Sequence, residues 1–433
     1  MVEFNSRAAT QQRNAAIRQY LERRQLYPFQ VATKPSDELG LLVVIPCFDE
    51  PDISRTLGSL ARCEAPGCDV EILVVVNGPD AMAEKARANN SRALREVADW
   101  RSGVAGDLPD WLRLFALRSE QLPVDQAGVG LARKIGMDEA VGRIGQTHRA
   151  HGVIVSLDAD CEVARNYLCE INKEFVAHPD SPGASIYYEH RLMNADSDAL
   201  RAAIIDYELH LRCYVAGQRA ARFPYAFHTV GSAMACRGSS YAEQGGMNRR
   251  QGGEDFYFIQ KLVALGDYRA LNSTTVYPAA RLSNRVPFGT GSALQNSLDA
   301  GGALATFSPQ IFRELEAFCT LVLFASPSHM LEKAEQLPVA LKEFLRQQDF
   351  SDRLAEIQKN VAGPANFRKR VFRWFNAFRF LKFAQFASRK YHPKIPVGDA
   401  AIQIANFSGI SDLPGSADNK TLLTVYRRLD RQF

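Results

Sequence analysis

"GVIVSLDADCEV", residues 152–163, decides how the chain is read. Val153 to Val155 and then Leu157 form an apolar run, and it ends on two carboxylates, Asp158 and Asp160. A largely apolar run of this length suits a strand covered on both faces. The acids that follow have two explanations. They cap a turn, which Asp favours through local hydrogen bonds, or they hold something cationic, because carboxylates this close repel unless a cation or hydrogen bonds offset the repulsion. Alternation along an extended segment points Asp158 and Asp160 the same way.

The same pattern recurs upstream. "LLVVIPCF" (41–48) and "VEILVVVNG" (70–78) read as buried strands, and "LRLFAL" (112–117) as a third. Between them, "DISRTLGSLARC" (52–63), "MAEKARANNSRALREVADW" (82–100) and "GLARKIGMDEAVGRI" (130–144) read as helices. Strand–helix alternation with continuous apolar strands predicts an α/β fold, a mostly parallel sheet with helices on both faces. In such sheets ligands gather beyond the carboxyl ends of the strands. Asp49, Glu50, Asn77, Arg118, Asp158 and Asp160 all fall there.

Past residue 164 the alternation weakens. "ASIYYEHRL" (184–192), "HTVGSAMACRG" (228–238) and "RALNSTTVYP" (269–278) read as strands, and "GGEDFYFIQKLVALG" (252–266) as a helix stopped by Gly266. From about residue 303 the sequence is almost wholly helical. "SRAATQQRNAAIRQYLERRQL" (6–26) predicts an N-terminal helix that packs through Ile17, Tyr20 and Leu21. The expected organisation is an N-terminal helical extension (1–38), a catalytic α/β domain (39–302) and a helical C-terminal region (303–433).

A length of 433 residues exceeds what one core usually serves. The net charge of +4 is too small to imply nucleic-acid binding. No apolar leader precedes the first helix, and no window approaches the roughly 20 apolar residues of a membrane span. The eight cysteines include no C-x-x-C pair, so a zinc or redox site is unsupported. Reduced thiols in a cytoplasmic protein are the expectation.

Five stretches, in order, carry a resemblance. "VVIPCFDEPDISRTLGSL" (43–60) resembles the opening strand and helix of family 2 glycosyltransferases, and "VVVNG" (74–78) stands where they carry a second strand. "GVGLARKIGMDEA" (128–140) is similar to their G-x-x-x-A-R-N-x-G segment. "VSLDAD" (155–160) matches their D-x-D, and "GGEDFYFIQKL" (252–262) resembles the helix start that holds their base. The resemblance implies a GT-A type fold and hexosyl transfer from a nucleotide-diphosphate sugar, uridine being the first nucleotide to test. Carried over residue by residue, it implies that Pro46, Phe48, Glu50, Asn77, Arg133 and Asp158 bind the donor. Asp160, with Asp158, would bind a divalent metal (Mn2+ or Mg2+), and Asp255, with Glu254 beside it, would be the base. Asn77 departs from the commoner Asp and Lys134 from Asn. No His follows the catalytic helix as a third metal ligand, a place Ser283, Asn284 or water could fill.

The chemistry supports these roles independently. Breaking a nucleotide-sugar at its anomeric carbon loads negative charge on the departing diphosphate, so a metal and cationic side chains there lower the barrier. Arg281 and Arg285, in "ARLSNRVPFGTG" (280–291), are candidates for that help, and Gly289 and Gly291 could let the segment close over the donor. Either arginine could equally make a surface ion pair. A carboxylate at a helix N-terminus stays ionised through the dipole, as a base must, although a plain acidic cap reads the same way. Gly231, Ser232 and His228 are weak candidates for the acceptor pocket. Two rivals remain: a sugar nucleotidyltransferase, which needs a glycine-rich basic loop where "PCFDEPDIS" stands, and a catalytically silent sugar-nucleotide-binding scaffold. Inversion is the expected stereochemistry; retention would give Asp255 another role.

"NFRKRVFRWFNAFRFLKFAQFASRKYHPK" (366–394) holds nine Lys/Arg, no acid and many aromatics. That composition suits a helix on a membrane surface, at the cytoplasmic face, or one that meets an anionic acceptor. Its polar residues recur every three positions, so the polar stripe winds around the helix, and packing inside the protein is favoured.

Overall fold

A computed structural model describes residues 2–147, 151–250, 252–281, 294–295, 304–410, 413 and 417–433, with backbone alone for 2–9. The chain divides into two compact units. The first is Met1–Ser197, Thr229–Gln295 and Arg431–Phe433; the second is Asp198–His228 and Asn296–Asp430. The N-terminal helix therefore lies with the α/β part, and the helix Asp198–Ala220, from the middle of the sequence, lies with the C-terminal helices.

The first unit opens with α1 (Val2–Arg24). Then come β1 (Leu39–Cys47), α2 (Ser54–Ala61), β2 (Asp69–Pro79), α3 (Glu84–Arg101), β3 (Leu112–Leu122) and α4 (Val129–Gln146). β4 (Val153–Ser156), β5 (Glu162–Val163), α5 (Tyr167–Ala177) and β6 (Gly183–Tyr188) follow, before α6 (Asp198–Ala220) of the second unit. β7 (Met234–Arg237), α7 (Gly238–Glu243), α8 (Glu254–Val263) and β8 (Arg269–Tyr277) complete the unit. One sheet holds all eight strands in the order β3-β2-β1-β4-β7-β6-β8-β5. Neighbours β3/β2, β2/β1, β1/β4 and β6/β8 are parallel, whereas β7 runs antiparallel to both β4 and β6.

This is the mixed α/β fold with a mostly parallel sheet and a helical C-terminal region that the apolar runs imply. Every residue of β1 from Leu41 to Cys47 is buried, so both faces of the sheet centre are covered. α4 lies over one face. Its Gly136 faces Val44 and Val75 so closely that an added Cβ would overlap both. α1 packs through Ile17 and Tyr20, both buried, and Leu21 reaches Gly145 of α4. Tyr20 donates to Asp138 (2.7 Å), Tyr241 of α7 donates to the same oxygen (2.7 Å), and Lys134 donates to the Tyr20 hydroxyl (2.6 Å). A single polar quartet thus pins α1 to α4 and α7.

Some boundaries differ from the sequence reading. β4 stops at Ser156, and Asp158 to Cys161 close a turn with the Cys161 N–H donating to the Asp158 carbonyl (3.1 Å). The alternation that would have aimed both acids alike therefore does not extend to Asp160. β3 runs on through Glu120 to Leu122, which pairs with Pro79. Seven of the eight cysteines are buried, as suits a thiol acting as a small hydrophobe.

The second unit is helical, with a two-stranded ribbon (Ala305–Thr306 and Ile395–Pro396). The basic aromatic stretch is two helices, Pro364–Trp374 and Ala377–Lys390, broken where Asn376 caps the second by accepting from the Arg379 N–H (3.1 Å). Phe367, Phe372, Trp374, Phe375, Phe380 and Phe383 are buried, and Phe375 meets Phe318 with ring centroids 4.2 Å apart. Among the described residues, no helix is long and apolar enough to cross a membrane.

Candidate functional site

The site is built where the parallel strands end. After Cys47 the chain leaves β1 through Phe48, half-buried, and Asp49, whose φ of 49° is a left-handed conformation that Asp tolerates better than most residues. Two asparagines of α3 hold it there. Asn90 accepts from the Asp49 N–H (3.0 Å), and Asn89 donates to the Asp49 carboxylate (2.7 Å). Asn90 also donates to the Asn77 carbonyl (2.9 Å), tying the end of β2 to the same anchor. Asn77 and Pro46 are buried at these ends. Neither Asn89 nor Asn90 stood out in sequence, yet two adjacent asparagines inside a helix are a signal, since Asn is a poor interior helix former.

Glu50, 2% exposed, turns back into the site. Its carboxylate accepts from Arg281, and the same guanidinium nitrogen reaches Asp160 at 3.3 Å. Across the turn, Asp158 accepts from Arg133 of α4 at 2.5 Å, and the other terminal nitrogen of Arg133 donates to Glu254 at the start of α8. The two acids of the 158–161 turn are thus each held by one arginine, and each arginine carries a second, more deeply buried carboxylate. Thr56 of α2 fixes the turn from below by donating to the Ala159 carbonyl (2.7 Å). The buried Cys161 thiol contacts Asp160 and Ser232.

Arg133 is itself buried, and its Nε has no hydrogen-bond partner among the described residues. Burial works against its charge, but Asp158, Glu254 and Asp255 outweigh that and raise its pKa. Arg281 behaves alike: burial opposes the charge, and Glu50 and Asp160 win. Gly231, in the turn before β7, backs onto Arg133. A Cβ there would sit 2.6–2.7 Å from the guanidinium, so the position has room for hydrogen alone.

Glu254 and Asp255 follow Gly253, whose φ of 71° sets the entry to α8. Glu254 is buried and spent on Arg133, whereas Asp255 is half-buried and accepts from the Phe256 N–H (2.7 Å). Burial first, then repulsion from Glu254, pushes the Asp255 carboxyl up to about 6, against the pull of Arg133. A carboxylate that titrates near neutrality can exchange a proton with a substrate hydroxyl.

Glu50, Asp158, Asp160, Glu254 and Asp255 therefore converge with Arg133 and Arg281. His228 falls in the second unit, where its Nε2 meets Asp430 at 3.0 Å, on a carboxylate that Arg212 and Arg219 also hold. Arg285 and the glycines of "FGTG", with Ser283 and Asn284, lie outside the described residues. Among the described residues, no group of three or more His, Cys, Asp or Glu could hold a metal ion.

Neither a family model nor any curated protein matches the sequence. Among solved structures the chain is similar to S. aureus TarS 1-349 in complex with UDP-GlcNAc, at 14% identity and a TM-score of 0.42, over 79% of this chain and 93% of that one. The TarS 1-349 complex with UDP matches over the same shares at 14% identity, with a TM-score of 0.40. A longer S. aureus TarS structure matches at 13% identity and a TM-score of 0.37, over 73% of this chain and 55% of that one.

Proposed function

We propose that this chain is a metal-dependent glycosyltransferase that moves a sugar from a nucleotide-diphosphate donor to a hydroxyl acceptor, with inversion. The observation that carries the reading is the arrangement at the strand ends: a turn presenting Asp158 and Asp160 beside a half-buried Asp255 that titrates near neutrality.

The donor set suits a hard divalent cation. Five carboxylates converge on two guanidinium groups, an excess of negative charge that a cation would relieve, and all the donors are oxygen. Mg2+ or Mn2+ commonly takes one or two protein carboxylates and fills its other positions from phosphate and water, so a two-carboxylate site is sufficient. Asp160, a quarter exposed, and Asp158 would hold it. Bound there, it would offset the charge that grows on the diphosphate.

The chain's own side chains carry the rest. Asp255 accepts the proton of the acceptor hydroxyl as that oxygen bonds to the anomeric carbon. The bond from that carbon to the diphosphate oxygen breaks, and the electron pair leaves with the nucleoside diphosphate. Arg281, already beside Asp160, is placed to meet the departing charge. Phe48, Glu50 and Asn77, at the strand ends, would serve the nucleoside side of the donor.

Calorimetric titration of UDP and GDP in the presence of Mn2+ tests the reading. One nucleotide should bind wild type, and Asp160→Ala should lose most of that affinity. If neither binds, or if Asp160→Ala binds as wild type does, the donor-site assignment is wrong.

A further inference from the structure

The structure assigns Arg133 a role other than touching the donor: we propose that it is a positioning residue, a strut between the 158–161 turn and the start of α8, and that Gly231 is glycine to make room for it. The kinetic part of this rests on the sugar-transfer reading; the strut itself does not.

Three observations converge. Arg133 is only 4% exposed, and its two terminal nitrogens are taken by Asp158 and Glu254, on separate elements. The helix that carries it is held by contacts on two sides. Gly136 lies against Val44 and Val75 of the sheet, and Lys134 and Asp138, which follow Arg133 on the same helix, are held by Tyr20 and Tyr241. Gly231 closes the third side, and any side chain there would strike the guanidinium. A planar fork with two divergent contacts, on a helix packed closely against the sheet and α1, sets the spacing between its partners.

What it sets is the relation of the metal-side acid to the base. Glu254 immediately precedes Asp255, so fixing Glu254 fixes the first turn of α8. Glu254 is thereby consumed as an anchor, and Asp255 is the acid left to meet the acceptor. The charged groups acting on Asp255 are Glu254 on its own helix, Arg133 from α4 and Asp158 from the turn, while nearby Arg250 is stacked on Tyr257. Reach to both partners, rather than charge alone, is therefore what the strut contributes.

Arg133→Lys keeps the charge but, as a compact ammonium, cannot span both carboxylates. Gly231→Ala leaves the arginine and displaces its guanidinium. Both variants should lower kcat for donor turnover by about tenfold or more, while UDP affinity in the presence of Mn2+, which Asp158 supports, falls by clearly less than tenfold. A tenfold loss of UDP affinity in Arg133→Lys would make Arg133 a donor contact, and an unchanged kcat would remove the positioning role; either overturns the proposal. A second arm needs no nucleotide. Removing one member of a buried pair leaves an uncompensated charge, whereas removing both does not. Arg133→Met combined with Glu254→Gln should therefore melt above Arg133→Met alone. If the two drops simply add, there is no strut. Failure of wild type to bind UDP or GDP would sink the sugar-transfer reading and leave this melting comparison to decide.

Discussion

Replacing Asp255 by Asn should make the protein more stable at neutral pH while disabling it. The carboxyl ionises near 3.8 ordinarily and near 6 in the folded chain. The folded state therefore holds this proton more tightly than the unfolded state does. The stability that comes from the neutral carboxyl is fully present below about pH 4 and is lost as the pH rises through about 6. Above pH 7 the fold carries a carboxylate it disfavours. The whole rise of about two pH units would cost about 3 kcal/mol, and solvent reaching the half-buried group reduces that to about 1–2 kcal/mol. An asparagine never ionises and can still accept from the Phe256 N–H. Urea unfolding of both proteins across the acid-to-neutral range measures the effect. The two should be equally stable near pH 4 and diverge as pH rises, with the variant ahead by about 1–2 kcal/mol above pH 7. Transfer activity in the same variant should fall by about 10²–10⁴-fold. A variant no more stable than wild type at pH 8, or a gap that fails to close towards pH 4, would refute the environment assigned to this group.

Other expectations follow from the same geometry. Arg281→Gln leaves the buried Glu50 without its cation and relieves Asp160 of a competitor. It should lower the melting temperature and weaken UDP binding, yet tighten binding of Mn2+ alone, a split that titrations with and without nucleotide would reveal. Tyr20→Phe removes one of three donors to the Asp138 cluster and should cost about 1–3 kcal/mol in chemical denaturation. Gly136→Ala forces a methyl between Val44 and Val75 and should cost about 1–3 kcal/mol by the same assay. The protein should not float with anionic vesicles, because Phe367, Phe372, Trp374, Phe375, Phe380 and Phe383 of the 366–394 stretch are already buried; flotation that Arg370→Glu abolishes would restore the membrane reading.

The left half of the sheet was legible because β1, β2 and β4 are largely apolar runs separated by segments of helical pattern. The right half was legible as strands, β6, β7 and β8, but not in how they pair. β7 enters antiparallel between β4 and β6, and that pairing depends on residues far apart in sequence. α6 escaped notice for a different reason. Glu208 and Arg212 sit on its buried side as an ion pair, so the face that should read as apolar is broken by charge. At the site, acids at strand ends could be listed from the sequence, but their partners could not. Arg133 lies 121 residues from Glu254 and 25 from Asp158, and nothing local marks it as shared. Gly231 reads in sequence as a candidate for the acceptor pocket, whereas in the structure it backs onto the Arg133 guanidinium.

The clasp between α1 and α4 bears on how the protein can be shortened. The division at residue 38 invites removal of everything before the first strand, as if the opening helix were an appendage. Such a deletion would strip Tyr20 from Asp138 and Lys134, opening to water a charged pair on the very helix whose next-door residue braces the acids. A trimmed protein that still folds but turns over poorly would owe its defect to a missing buttress rather than to any lost contact with substrate.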